Sequence, residues 1–212
     1  MRTTHLLSST LFLILAGVAS AGPVYQVTLD TAAMGLSGDD GSLDFVFDAS
    51  PGSTQSATVQ IVNFTGASYI AGSQVDTGSA SGGPLPSAIT IIAGNPDSDD
   101  FEAVTFGSTL TFDVAFSGPA VDSTNGTATG PTVFSLEVFS DELGSVPANT
   151  TDPSTGIAGT ITVNDDGALT AAGVSPDFSA QAIPEPSTMG MVLGALAMLI
   201  GGRFARRSKR SV

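Results

Sequence analysis

Carboxylates and hydroxyls are the only side chains in the body of this chain that can take part in acid–base or metal chemistry. All twenty Asp and Glu lie between Asp30 and Glu185. The six Lys and Arg lie outside that stretch, at Arg2, Arg203, Arg206, Arg207, Lys209 and Arg210. His5 is the single histidine, and there is no Cys. From residue 22 to residue 184 the chain therefore lacks a Ser–His or Cys–His nucleophile pair, a Schiff-base lysine and the ligands of a conventional zinc site.

Two kinds of carboxylate chemistry stay open. Glycoside hydrolysis needs only two carboxyl groups at a set separation, and Glu102, Glu137 and Glu142 are the glutamates available for it. Glu137 alternates with Leu136 and Val138, a spacing that points it to solvent. Sugar clefts also use aromatic platforms, whereas here there is no Trp and Tyr25 and Tyr69 are the only tyrosines. The expectation is a protein that is not an enzyme. Calcium is the second possibility. Asp97-Ser98-Asp99-Asp100, Asp39-Asp40-Gly41 and Asn164-Asp165-Asp166-Gly167 each place hard oxygen ligands together in what read as turns. The weak calcium candidates are Asp97, Asp99, Asp100, Asp165 and Asp166. None of the clusters has complete EF-hand spacing, and Asp and Asn favour turns for backbone reasons alone. No other cofactor is expected.

Charge narrows the field further. The formal net charge is −14. With every basic residue near an end of the chain, no side-chain salt bridge can form in the acidic stretch, and self-repulsion has to be screened by salt or by bound cations. Nothing there can neutralise phosphates, which excludes nucleic acid as a partner. With no disulfide available, the fold must hold by core packing.

The elements that position these carboxylates read as short strands separated by Gly, Pro, Asn, Asp and Ser. Candidate strands are residues 24–30, 43–48, 58–64, 88–92, 101–106, 109–116, 132–139, 159–163 and 168–172. Leu43, Phe45 and Phe47 share one face while Asp44 and Asp48 take the other; Leu110, Phe112, Val114 and Phe116 do the same against Thr111 and Asp113. Residues 164–167 read as a hairpin turn, and residues 73–87 and 144–156 as flexible loops. About nine strands without helices predict an all-β fold, an antiparallel β-sandwich or jelly roll, with strand order left open. This acidic domain spans residues 22–174, and residues 175–182 read as a linker.

Both ends read as targeting segments. Residues 1–21 have a basic start, an apolar stretch and the small residues Ala19-Ser20-Ala21, the layout of a secretory signal peptide cut after Ala21. The end of the chain begins with Pro184-Glu185-Pro186-Ser187-Thr188, runs through the uncharged apolar residues 189–202, and closes on Arg203, Arg206, Arg207, Lys209 and Arg210. The two prolines hold the entry extended, Ser187 or Thr188 can cap a helix, and the basic cluster favours the cytoplasmic side of a membrane. Residues 189–202 as a helix span roughly 21 Å, short of a ~30 Å hydrocarbon core unless flanking residues and snorkelling arginine contribute.

This order over residues 183–212 resembles the PEP-CTERM sorting signal. The resemblance implies a Gram-negative exporter, signal peptidase and a membrane-embedded exosortase as partners, and processing near the Pro-Glu-Pro motif. It also implies one transmembrane helix that holds the chain in the inner membrane before release to the cell surface. Proteins of this type often accompany exopolysaccharide and biofilm formation. The acidic domain resembles those of uncharacterised PEP-CTERM proteins, in Tyr25-Gln26-Val27-Thr28-Leu29-Asp30-Thr31, Gly41-Ser42-Leu43-Asp44-Phe45 and Phe106-Gly107-Ser108-Thr109-Leu110-Thr111-Phe112-Asp113. The expected role is structural or adhesive in the matrix. A glycan-binding or Ca-dependent recognition module is the alternative, and a glycoside hydrolase the third.

Overall fold

A computed structural model describes residues 22–184 apart from 52, 54, 95–96, 125–129 and 149–150. In chain order the elements are β1 (Val24–Leu29), β2 (Asp40–Ala49), β3 (Thr58–Tyr69), β4 (Val75–Thr77), β5 (Ala80–Gly82), β6 (Ile89–Ile92), β7 (Ser98–Ser117), the one-turn helix α1 (Pro119–Asp122), β8 (Thr132–Phe139), β9 (Ile157–Val163), β10 (Leu169–Gly173) and β11 (Phe178–Ile183). All strand pairs are antiparallel, within one eleven-stranded sheet.

The organising element is β7. Residues 101–106 and 109–116 read from sequence as two strands, but they form one strand of 20 residues. Even-numbered residues are buried from Ser98 to Phe106 and again from Leu110 to Phe116, so the phase is the same on both sides of the exposed pair Ser108 and Thr109. One edge of β7 is shared: β2 pairs with residues 98–105 and β1 with residues 110–115. On the opposite edge β3 follows β7 from Ser117 back to Val104, and β4 takes over at residues 99–101.

Two wings therefore grow from one strand. The first runs β10-β9-β8-β2-β7, and the second runs β11-β1-β7-β3-β6-β5. They fold over one another, because aromatic rings from one meet rings from the other. Phe45 on β2 lies edge-on to Phe112 at 5.5 Å between ring centres. Phe47 and Phe134 meet Phe116 at 6.2 and 6.4 Å. All five of these side chains are at most 1 % exposed. Burying each contributes about 1.5–3 kcal/mol, with more from edge-to-face geometry. The expected two-layered β architecture is thus one continuous sheet curled on itself.

The curl needs a bend in β3 where it crosses the middle of β7. Register shifts fall between Val62 and Thr65 and between Thr65 and Ala67. Asn63 has φ 57° and Gly66 φ 94°. A Cβ on Gly66 would lie 1.8 Å from the Thr109 carbonyl oxygen, so both the dihedral and the space require glycine.

Three sequence expectations change. Residues 175–182, read as a linker, contain most of β11, which pairs along its whole length with β1. Loop 73–87 carries the short strands β4 and β5. Asp97-Ser98-Asp99-Asp100 is not a turn but leads into β7. Residues 164–167 do form the β9–β10 turn, with the Gly167 N–H donating to the Asn164 carbonyl at 2.8 Å.

Gly66→Ala is expected to destabilise the domain by about 2–4 kcal/mol in urea unfolding, the sum of a left-handed strain and a backbone clash. A loss below about 0.5 kcal/mol would show that the β3 bend is not required.

Candidate functional site

Strand alternation sorts the carboxylates of β7 onto two faces. Asp99 sits on the outer face, whereas Asp100 and Glu102 point into the interior and are 0 % exposed.

On the outer face the register brings acidic residues from several strands side by side. Asp44 on β2 lies directly opposite Glu137 on β8, and its neighbour on β7 is Phe101. Val46 is flanked by Asp99, which in turn faces Thr77 on β4. Asp48 completes the row and shares a side-chain hydrogen bond with Asp97. Like charges directly opposite one another destabilise a sheet, and no cationic side chain is present among residues 22–184 to offset them. Protonation of Asp44, Asp48, Asp99 and Glu137 is therefore favoured over that of an ordinary carboxyl. Burial, then Asp99, Glu137 and Asp97, push Asp44 up to about 8. Burial, then Asp152, Asp48, Asp99 and Asp97, push Glu137 to about 7. Asp48 rises to about 6 through burial and its bond to Asp97, and Asp99 rises through burial against an opposing Thr77 hydrogen bond. One buried oxygen each of Asp44 and Asp48, Oδ1, has no hydrogen-bond partner. Glu137 was expected to point to solvent; it does face outward, but neighbours leave it half-buried.

The inner carboxyls have a different job. The Leu85 N–H donates to both oxygens of Glu102, at 3.0 and 2.9 Å. Gln74 Nε2 donates to Asp100 Oδ2 at 2.7 Å and to the Gly82 carbonyl at 3.1 Å. Asp76, the register partner of Asp100, shares a side-chain hydrogen bond with it. Burial first, then that bond, pushes Asp100 up to about 8. Burial also raises Glu102 against the opposing Leu85 bond. These groups tie the 73–87 segment down onto β7.

The calcium candidates are thus dispersed. Asp97 and Asp99 belong to the outer row, Asp100 lies inside, and Asp165 and Asp166 sit in the β9–β10 turn, where Asp166 Oδ1 accepts from the Ala168 N–H at 2.9 Å. Among the described residues no three His, Cys, Asp or Glu side chains group as a metal ion would require. Of the glutamates, Glu102 is buried and Glu142 exposed. Period-two alternation through residues 97–102 separates Asp99 from Asp100, although the density of polar residues there is also that of a turn.

At the far end of the domain, β11 forms the sheet's outer strand beside β1. The register runs from Leu29↔Phe178 to Val24↔Ile183. Pro184 follows at once, and a residue without an N–H ends the ladder there. Gly159 lies under the Phe178 ring, where a Cβ would come within 2.3 Å, so this edge is packed as well as paired.

Residues 182–210 match the PEP-CTERM protein-sorting motif. The chain therefore carries a PEP-CTERM sorting signal, and such a signal implies export, processing at the membrane with exosortase as partner, and then the cell surface. No curated protein and no solved structure matches the chain. Of the matched residues only Ala182, Ile183 and Pro184 are described. Glu185, Pro186, Ser187 and Thr188, the basic cluster of Arg203, Arg206, Arg207, Lys209 and Arg210, the apolar residues 189–202, and the small residues Ala19 and Ala21 lie outside the described residues. Among the described residues no helix is long and apolar enough to cross a membrane.

The raised carboxyls set the sign of the pH dependence. Asp44 and Asp100 move from 3.8 to about 8, so between those values the unfolded chain gives up protons that the folded chain keeps. The stability they contribute is fully present below about pH 4 and is lost as pH rises to about 8. Asp152, lowered to about 2 by Ser154 and Thr155, acts oppositely but only at the acid end. Scanning calorimetry should find Tm falling from pH 4.5 to pH 8.5, as order-of-magnitude bounds on that window. Asp44→Asn should raise stability by about 0.5–1 kcal/mol at the alkaline end and leave it unchanged at the acid end. A Tm that rises with pH would contradict this assignment.

Proposed function

We propose that the protein is a non-enzymatic surface or matrix component, structural or adhesive in association with exopolysaccharide. In this reading the leader, residues 1–21, is removed by signal peptidase after Ala21. Residues 189–202 then hold the chain as a single-pass protein of the inner membrane, with the acidic β-domain outside the cytoplasm. Exosortase processing near Pro184–Pro186 releases the domain to the surface.

One observation supports this most: a sorting motif that follows directly on a folded, wholly acidic β-domain. Such a domain carries no cationic group to attract nucleic acid or anionic lipid. It has a broad polar face of the kind that stays hydrated within a polymer matrix. Cells with and without the exosortase test it. The protein should shift in mass and move from membrane to matrix only when the exosortase is present, and a chain truncated after Ala182 should be left behind by that route. Truncated protein that reaches the same place at the same size would refute the reading.

A second reading, Ca-dependent glycan recognition, draws on the outer row of carboxylates and the partnerless Oδ1 atoms of Asp44 and Asp48. A glycan array with and without Ca²⁺ separates the two. The structural reading predicts no selective binding in either condition; a Ca²⁺-dependent hit lost in Asp44→Asn would favour the recognition module.

A further inference from the structure

The sorting motif and the folded domain overlap. The match begins at Ala182, while β11 runs on to Ile183, so Ala182 and Ile183 belong to both. These two residues are the register partners of Tyr25 and Val24 on β1. No spacer separates the sheet from Pro184. A protease cleft has to surround an extended chain on both sides, and β11 has one side committed to β1.

We infer that strand β11 gates its own processing: the exosortase can engage the motif only when the end of β11 has peeled away from β1. The inference rests on the exosortase reading above and adds a conformational step to it. Three features of the edge make that step local. β11 is hydrogen-bonded only to β1, and its packing on Gly159 and Gly173 is made by Phe178 at its start, so release of its last residues breaks no other strand pairing. Its last residues, Gln181, Ala182 and Ile183, are exposed, and only Phe178 at its start is anchored by burial. The ladder stops at Pro184, whose missing N–H leaves the strand nothing to gain by extending. Fraying of such an end is the lowest-cost opening a sheet offers, and cleavage of an opened segment follows the population of the open form.

β1 is the first strand of the domain and β11 the last, so the pairing also reports on completion. It cannot form until the whole domain has crossed the membrane and folded. A domain that has folded presents the motif at a fixed edge, and one that has not leaves residues 178–183 free.

The test locks and loosens this edge in the full chain, expressed in cells that carry the exosortase. Gln26 and Gln181 are register partners and both exposed. Opposed residues of an antiparallel pair lie at a separation a disulfide can span. The chain has no cysteine of its own, so Gln26→Cys with Gln181→Cys creates the only possible bridge. The uncleaved form of the oxidised double variant, identified by its non-reducing mobility, should accumulate at least about tenfold over wild type, and each single variant should be processed normally. Loosening uses Ser179→Pro, which lies outside the motif match. The Asp30 N–H bond to the Asp177 carbonyl sets the alternation that points the Ser179 N–H at β1. That variant should be processed faster than wild type. Oxidised double variant cleaved at the wild-type rate would overturn the gating. Wild-type chain that shows no exosortase-dependent mass change would refute the sorting reading itself, and the gating with it.

Discussion

A domain without a cationic side chain has to settle every carboxylate by exposing it, hydrogen-bonding it to the backbone or protonating it. That constraint runs through this structure. Exposed carboxylates sit in turns, where backbone N–H groups meet them: Asp152 accepts from Ser154 and Thr155, and Asp141 Oδ1 from the N–H groups of Ser145 and Val146. Buried ones cannot rely on a salt bridge, so Glu102 takes the Leu85 N–H on both oxygens and Asp100 takes the Gln74 amide. Where these do not suffice, as for Asp44 opposite Glu137 and for Asp100 despite its Gln74 bond, the proton is held to about pH 7–8. The usual cost of burying a charge is thereby avoided rather than offset.

The same constraint divides labour between the two faces of β7. Its inner face carries the buried polar residues Ser98, Asp100 and Glu102, which anchor the segment carrying β4 and β5. Its outer face, with β2 and β8, collects the row that gives the domain its acid surface. One long strand thus holds both wings of the sheet, and the aromatic cluster around Phe112 and Phe116 closes them on each other. The start of the sorting motif follows from the same arrangement, because β1 takes up the free length of β7's edge and β11 pairs on the outer side of β1, which leaves Ile183 at the sheet's rim.

Much of this was legible in the residues themselves. Period-two alternation in Leu43–Phe45–Phe47 and Leu110–Phe112–Val114–Phe116 announces half-buried strands, because large apolar side chains every second position serve no other backbone. The sorting signal was legible for another reason: it is read as an ordered string of prolines, apolar residues and arginines, with no tertiary partner needed. β11 was hidden. Phe-Ser-Ala-Gln-Ala-Ile has one large buried residue, Phe178, and its pairing partner β1 lies at the other end of the domain. The outer carboxylate row was hidden for a similar reason. Asp44, Glu137 and Asp99 are far apart in the chain, and only register, which alternation alone does not set, makes them neighbours.

Direct observation of the carboxyl carbons by NMR as a function of pH tests the charge constraint most plainly. Asp44 and Asp100 should titrate with midpoints about 8, Glu137 near 7 and Asp48 near 6, while Asp152 stays ionised down to about 2. If all of these carboxyls instead titrate together near 4, the usual carboxylate range, the domain carries its full negative charge at neutral pH and the account fails.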